Sequence, residues 1–324
     1  MNRFHSLSRR RFVASGLTLA ASSVLPQAHA QNNPLAPTRF LRIGYQKGLL
    51  SILKGRGTLE HRLAPLGVSV EWTEFPSGPP QLEALNVGAI DFGDVGEAPP
   101  VFAQAAGAPF VYYGQTAPRP ASEALVVPND SPVKSVAQLK GKRIALTKGS
   151  NTHFLLLKLL ATANIEYTDV TPVWLSPSDA RAAFEQKAVD AWIIWDPFLA
   201  VVQATGNARI VADGQGLVQN RAFYFTSRTY VDKNDDVLRA VLEEVGAADH
   251  WIATNREQAA VEFSRLWGVP QPIVITVLTR LKYGTQPFSR DALANQQSIA
   301  DAFYKLKLLP SRIDVSAAAP PRLA

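Results

Sequence analysis

The residues whose types and spacing carry the clearest chemistry are Lys148-Gly149-Ser150-Asn151-Thr152-His153. A β-rich run at 143–147 leads in, and an apolar helical run at 154–160 leads out. The layout is strand, glycine turn, then helix with Ser150 or Asn151 as N-cap. The first turn of such a helix leaves backbone N–H groups unpaired, and the helix dipole makes that spot positive. Thr152 and His153 can add side-chain donors. This is a receptor for a small oxyanion, but an ordinary capped glycine turn has the same pattern, so the stretch alone does not decide between them.

Other chemistries lack their residues. With no cysteine there is no disulfide, thiolate metal site, cysteine nucleophile or lipid-modified N-terminal cysteine. The five histidines form no H-x-x-x-H or H-x-H pair, so no metal site and no cofactor is expected. No Ser–His–carboxylate grouping stands in for a nucleophile, so the chain reads as a binding protein and not an enzyme.

The anion turn occurs nearly twice. Arg42-Ile43-x-x-x-Lys47-Gly48 returns as Arg143-Ile144-x-x-x-Lys148-Gly149, 101 residues later. Ala89-Ile90-Asp91 returns as Ala188-Val189-Asp190 at a spacing of 99, at which Ser77 also faces Ser176 and Glu97 faces Asp196. Three matches in one element order argue for two lobes of one design.

The elements that position these turns follow from the patterning. Strands are expected at 39–45, 68–75, 90–93, 110–113, 124–127, 143–147, 170–175, 191–195 and 221–226. Helices are expected at 49–63, 79–87, up to 106, 151–163, 179–187 and 196–204, and then at 236–255, 256–267, 270–281 and 291–305. Strands alternating with helices imply an α/β protein with parallel, doubly wound sheets. Ligands in such sheets bind beyond the carboxyl ends of the strands, where these turns lie. Two such edges facing each other make a cleft of helix N-termini, hydroxyls and amides, able to hold an oxyanion without a full counter-charge. Tyr45, Trp192, Trp195 and Phe198 lie near the same turns and could cover an apolar tail; Trp195, at its strand end, suits ligand contact better than Trp192, which alternation places in the core. Glu97 and Asp196 are also placed as N-caps ahead of prolines, and Lys47 and Lys148 as solvated turn residues.

The 324 residues suffice for two such lobes. Of the net charge of +6, four units come from Arg3, Arg9, Arg10 and Arg11, in a first stretch without Asp, Glu or Lys. The +2 left to the rest gives no case for nucleic acid. Residues 1–30 read as a signal peptide: Ser8-Arg9-Arg10-Arg11-Phe12 is a twin-arginine-like n-region, 12–25 is uncharged, and Ala28-His29-Ala30 is a cleavage site. An exported chain without a lipidation cysteine is expected free in a periplasm. The alanine- and proline-rich 316–324 has little to bury and is expected to be disordered.

Longer phrases add a family resemblance. Gly44-Tyr45-Gln46-Lys47-Gly48, Phe75-Pro76-Ser77-Gly78-Pro79 and Leu82-Glu83-Ala84-Leu85-Asn86-Val87-Gly88 come from the first repeat. Lys148 to His153 and Val189-Asp190-Ala191-Trp192-Ile193-Ile194-Trp195-Asp196-Pro197 come from the second. Together they resemble the aliphatic sulfonate-binding proteins that serve ABC importers, over about 41–311. The resemblance implies a two-lobed type II periplasmic binding protein, with one lobe at 38–120 plus 222–315, the other at 121–221, and two crossovers near 120–123 and 220–223. It implies a sulfonate held by Gln46, Ser77, Gly78, Gly96 and Glu97 on one side and by Gly149, Ser150, Asn151, Thr152, Trp195 and Asp196 on the other. It implies hinge closure and delivery to a membrane permease with its ATPase for sulfur acquisition, by a monomeric receptor. Glu97, where some relatives carry Asp, and Leu49-Leu50 depart from the pattern, so no particular sulfonate is carried over. Taurine or nitrate on the same fold remains an alternative; desulfinase-like enzymes would need the missing cysteine, and a sensor domain fits poorly with the export signal.

Overall fold

The computed structural model describes residues 38–320 and 323; the expected signal peptide lies outside them. Two sheets organise the chain. The first is built from β1 (Arg39–Tyr45), β2 (Val68–Glu74), β3 (Phe92–Gly96), β4 (Phe110–Gln115), β10 (Ala222–Ser227) and β11 (Gln286–Pro287), in the order β11-β4-β10-β3-β1-β2. The second is built from β5 (Glu123–Pro128), β6 (Arg143–Leu146), β7 (Thr171–Trp174), β8 (Ala191–Trp195) and β9 (Ala208–Asp213), in the order β7-β6-β8-β5-β9. The first chain passage between them precedes β5 and the second precedes β10.

The doubly wound sheets are mixed, with parallel units and one antiparallel strand after each passage. β1 is parallel to β2 and β3, and β6 to β7 and β8, as strand–helix–strand units require. The strand that follows each passage runs the other way: β10 is antiparallel to β3 and β4, and β5 to β8 and β9. Neither arrives through a packed crossover helix within its own sheet, so the rule for parallel neighbours does not apply to it.

The sequence repeat has a physical counterpart. In the first sheet Arg42 N–H donates to Asp91 Oδ2 (2.9 Å) and Asp91 N–H to Arg42 O (2.8 Å). In the second, Arg143 N–H donates to Asp190 Oδ2 (2.7 Å) and Asp190 N–H to Arg143 O (2.8 Å). The aspartates therefore clamp the incoming loop to the repeated strand and set the register at which each turn leaves it.

Several expected boundaries shift. The helix at 49–63 is two, α1 (Leu49–Arg56) and α2 (Thr58–Leu63), because Gly57 sits at φ 66° between them. The strand at 90–93 starts only at Phe92, since Asp91 serves the clamp. Next come α3 (Gly78–Asn86), α4 (Pro99–Ala105), α5 (Asn151–Thr162), α6 (Pro177–Glu185) and α7 (Phe198–Ala204). The C-terminal layer is α8 (Arg228–Thr254), α9 (Arg256–Trp267), α10 (Gln271–Arg280) and α11 (Arg290–Lys305). The disorder expected for 316–324 is corrected for 316–320. A short 3-10 turn spans Val315–Ala318, and Val315, Ala318 and Ala319 are buried beside Phe110 and Phe303.

Apolar packing also joins the two halves. Phe154 and Leu157 of α5 belong to the same buried cluster as Val101, Phe110 and Phe303 of the first. No helix among the described residues is long and apolar enough to cross a membrane.

Candidate functional site

A cavity of about 360 Å³ lies where the carboxyl ends of β1, β2 and β3 meet those of the second sheet. Of the residues singled out from sequence, Gln46, Gly78, Gly96, Ser150, Asn151, Trp195 and Asp196 line it. Ser77, Glu97, Gly149 and Thr152 are buried beside it without lining it.

The Gly149 turn is built for its place. Gly149 has φ 72°, a conformation that strains any side-chain-bearing residue, and its Cα faces Phe102. Its N–H is not free for a ligand, because it donates to His153 Nδ1 (3.3 Å). Ser150 N–H donates to Thr147 O (3.2 Å). The N–H groups of Asn151 and Thr152, the first two residues of the twelve-residue α5, have no protein acceptor among the described residues. These are the orphan donors of a helix start, at its positive end.

Side chains around this turn divide between the cavity and the scaffold. Ser150 Oγ donates to Thr147 O (2.7 Å) and lies 2.8 Å from Thr152 Oγ1, so neither hydroxyl caps α5. His153, expected as a donor, faces away. It is caged by Phe102, Tyr167, Trp174 and Phe303, with Nε2 3.0 Å from Tyr167 Oη. Burial first, and Lys148 second, push its pKa down to about 4, so it is neutral near pH 7.

Asn151 bridges the halves. Its Oδ1 accepts from Ala98 N–H (3.2 Å) at the start of α4, and its Nδ2 donates to Asn220 Oδ1 (2.6 Å). Asn220 in turn donates from Nδ2 to Arg119 O (3.2 Å) and Ser122 Oγ (3.1 Å). This amide chain ties both inter-sheet passages to the start of α5. Gly96 is required here: a Cβ on it would overlap the Asn151 amide.

Two acidic positions differ from expectation. Asp196 does not hold the N-cap position of α7, which falls to Pro197, but its Oδ1 accepts from Ala200 N–H (3.0 Å) in the first turn, and Arg280 Nη1 also donates to its Oδ1 (3.0 Å) and Oδ2 (3.2 Å). Burial still pushes it up to about 6, opposed by Arg280. Its side chain is 3% exposed, so a bound anion would face a carboxylate already neutralised by Arg280. Glu97 is not an N-cap: Ala98 holds that position, and Glu97 Oε2 accepts from Arg221 N–H (3.4 Å) while Oε1 has no partner. Burial raises it to about 7.

The lining is mixed: Asn151, Asn220 and Ser122, joined by hydrogen bonds, and Arg119 contribute polar groups, and Phe75, Trp195, Phe198, Trp267, Val277 and Leu281 contribute apolar surface. Trp192 is fully buried in the core, as alternation required. Among the described residues no group of three or more His, Asp or Glu is placed to hold a metal ion.

A model of the NMT1/THI5-like family matches residues 65–259. The chain belongs to that family. An aliphatic sulfonates-binding protein of Escherichia coli (strain K12) is 42% identical over 289 residues, 88% of this chain and 89% of its own. Among solved structures, the alkanesulfonate-binding protein SsuA from Xanthomonas axonopodis pv. citri, bound to MOPS, superposes with a TM-score of 0.84 at 41% identity, covering 87% of this chain and 98% of that one. The periplasmic aliphatic sulphonate binding protein SsuA from Escherichia coli does so with a TM-score of 0.78 at 42% identity, covering 85% and 90%. These relatives are named as sulfonate-binding proteins, and this NMT1/THI5-like chain shares the periplasmic binding protein fold of the two solved structures.

Within this NMT1/THI5-like fold, sequence reasoning missed Arg119, Asp94 and Trp267. Arg119 precedes Pro120 in the first passage, where it reads as linker. Its guanidinium makes no hydrogen bond or ion pair among the described residues, although it lines the cavity. Trp267 arrives from α9, far along the chain, with Nε1 donating to Ser51 Oγ (2.9 Å). The one available signal was an arginine beside the proline of a passage segment; Glu123 stands four residues on, and in the structure the two attract each other without forming an ion pair.

Proposed function

We propose that this protein is the periplasmic receptor of an ABC importer and binds aliphatic sulfonates, with the headgroup at the start of α5. The observation that carries this reading is that Asn151, whose N–H has no acceptor among the described residues, and Arg119, whose guanidinium has no hydrogen-bond or ion-pair partner among them, line one cavity, with the acceptor-less N–H of Thr152 next in the chain. A sulfonate is a permanent anion with three acceptor oxygens, so it can take all of these donors and needs no proton. Arg119 supplies a full counter-charge, which an arrangement of amides alone would lack. The apolar side chains of the lining then receive an alkyl tail.

In this reading 38–120 plus 222–315 and 121–221 are the two moving lobes, and ligand favours closure by bridging them. Asn151–Ala98 and Asp196–Arg280 are contacts of the closed form. The residues expected to touch the ligand are Gln46, Ser77, Gly78, Gly96, Ser150, Asn151, Thr152 and Trp195, together with Arg119; Glu97, Gly149 and Asp196 support them. The receptor acts as a monomer, free in the periplasm, and hands its ligand to a permease driven by an ATPase.

Isothermal titration with butane-1-sulfonate tests the reading. The expected dissociation constant lies between about micromolar and tens of nanomolar, or roughly 8–10 kcal/mol. Heats absent for every alkanesulfonate, with nitrate binding instead, would overturn it.

A further inference from the structure

The cavity holds two charged side chains that lack partners and do not pair with each other. Arg119 is one. The other is Asp94, on β3, which is 8% exposed and lines the cavity. Its Oδ1 is buried without a hydrogen-bond partner, and no described residue forms an ion pair with it. The two feel each other only at a distance, through a coulombic attraction that partly offsets the upward push of burial on Asp94. Arg119 also attracts Asp196 and the buried, unpartnered Glu123 at a distance, but Glu123 does not line the cavity, and the other charges that do line it have partners. Asp196 is held by Arg280, Glu74 is exposed and accepts from Tyr45 Oη (3.2 Å), and Lys47 Nζ donates to Trp267 O (2.9 Å).

A cavity with one free cation and one free anion, kept apart, is electrostatically complementary to a zwitterion of the opposite polarity. A plain alkanesulfonate satisfies Arg119 alone. It offers Asp94 a methyl group and adds an anion nearby, which is unfavourable for a buried carboxylate. A ligand whose tail carries an ammonium satisfies both. We propose that Asp94 is a specificity-determining residue that accepts a cationic centre on the tail, so that the preferred ligands are zwitterionic aliphatic sulfonates. This rests on the sulfonate reading above and places its headgroup at Arg119 and α5. The acids singled out from sequence, Glu97 and Asp196, do not serve this purpose: the first does not line the cavity and the second is neutralised.

The test uses matched pairs in which an ammonium replaces a terminal methyl. Titration calorimetry on the whole protein at pH 7.5 compares 3-aminopropane-1-sulfonate with butane-1-sulfonate, and 4-aminobutane-1-sulfonate with pentane-1-sulfonate. In at least one pair the amine-bearing ligand should bind tenfold or more tightly, about 1.4 kcal/mol. In Asp94→Asn that ratio should collapse to one or below, the amine ligand losing at least tenfold and the alkyl ligand gaining. Asp94→Ser, smaller and uncharged, should collapse it likewise if Asp94→Asn does not fold. Alkanesulfonates that bind with no amine preference, or a preference that survives both substitutions, would overturn the assignment of Asp94 while leaving the sulfonate reading intact. Failure of all four ligands to bind would overturn both.

Discussion

After β1 the chain runs Gln46-Lys47-Gly48 into α1; after β6 it runs Lys148-Gly149-Ser150 into α5. The clamps that set these strands are the same, yet the turns do different work. Gly48 is extended, at φ −159°, and its carbonyl accepts Ser51 N–H and Oγ–H. Gln46 Nε2 is committed to Gln81 Oε1 and Asp94 O, and Lys47 to Trp267 O. The first turn thus braces the lobe, and α1 buries Leu50, Ile52 and Leu53 against the C-terminal helices. Gly149, at φ 72°, sends the chain into a helix start whose first donors are free and whose first side chain, Asn151, crosses to the other half. A duplicated motif therefore retains its strand, its clamp and a helix start whose first two N–H groups lack a protein acceptor among the described residues, Leu49 and Leu50 in α1 as Asn151 and Thr152 in α5, while only the second start sends a side chain across to the other half.

The acids at matched positions, Glu97 and Asp196, should separate most strongly. Asp196→Asn leaves Arg280 buried without its carboxylate, a loss of about 3–5 kcal/mol. Thermal unfolding at pH 8 should show it as a large fall in Tm. Glu97→Gln should do the reverse. Burial raises Glu97 from the ordinary 4.5 to about 7, so its contribution to stability is full below about 4.5 and is lost as the pH rises through 7. Removing the charge should raise Tm at pH 8, leave it unchanged at pH 4.5, and relieve Glu123, which burial and then Glu97 push upward. Equal responses of the two variants would erase the distinction drawn between these positions.

What was legible in the sequence was local. Arg-Ile ahead of the turn and Ala-x-Asp ahead of the next strand announce a clamp whose partners lie within fifty residues, so the repeat could be read before the fold. Ser150 and Asn151 stood one beside the other at a glycine turn, and their place in the cavity followed from that. Arg119, Asp94 and Trp267 meet only because two passages and a C-terminal helical layer fold back on the first sheet, and no spacing records that. Strand β9 was missed because its six residues follow Gly206 with no helical partner, and the tail because alanines read as having nothing to bury.

The next contrast is between Asn151 and Gln46. Both line the cavity, but Asn151 holds the two halves together and Gln46 holds its own lobe. Asn151→Ala should weaken sulfonate binding about 10- to 100-fold, roughly 1.4–2.7 kcal/mol. Gln46→Ala should lower Tm with a smaller change in affinity. Calorimetry and thermal melts on both variants decide this, and an affinity loss larger for Gln46→Ala would move the headgroup to the first turn.

The smallest effect belongs to the glycines themselves, and it bears most directly on how the two turns differ. At Gly48 an added Cβ would meet only Asp94 Oδ2, at 3.8 Å, and the backbone is already extended, so alanine is accommodated. At Gly149 the nearest atom would be a Phe102 ring carbon at 3.4 Å, an ordinary contact, so space is not what selects glycine there. The positive φ is, and holding a side-chain-bearing residue in it costs about 1–2 kcal/mol. Gly149→Ala should therefore lose about that much stability, or relax the turn and weaken sulfonate binding several-fold, while Gly48→Ala changes neither by more than about 0.5 kcal/mol. If denaturant unfolding gave the two variants the same loss, the left-handed turn would not be what turns the α5 start toward the cavity, and the difference between the repeats would have to lie in Ser150 and Asn151 alone.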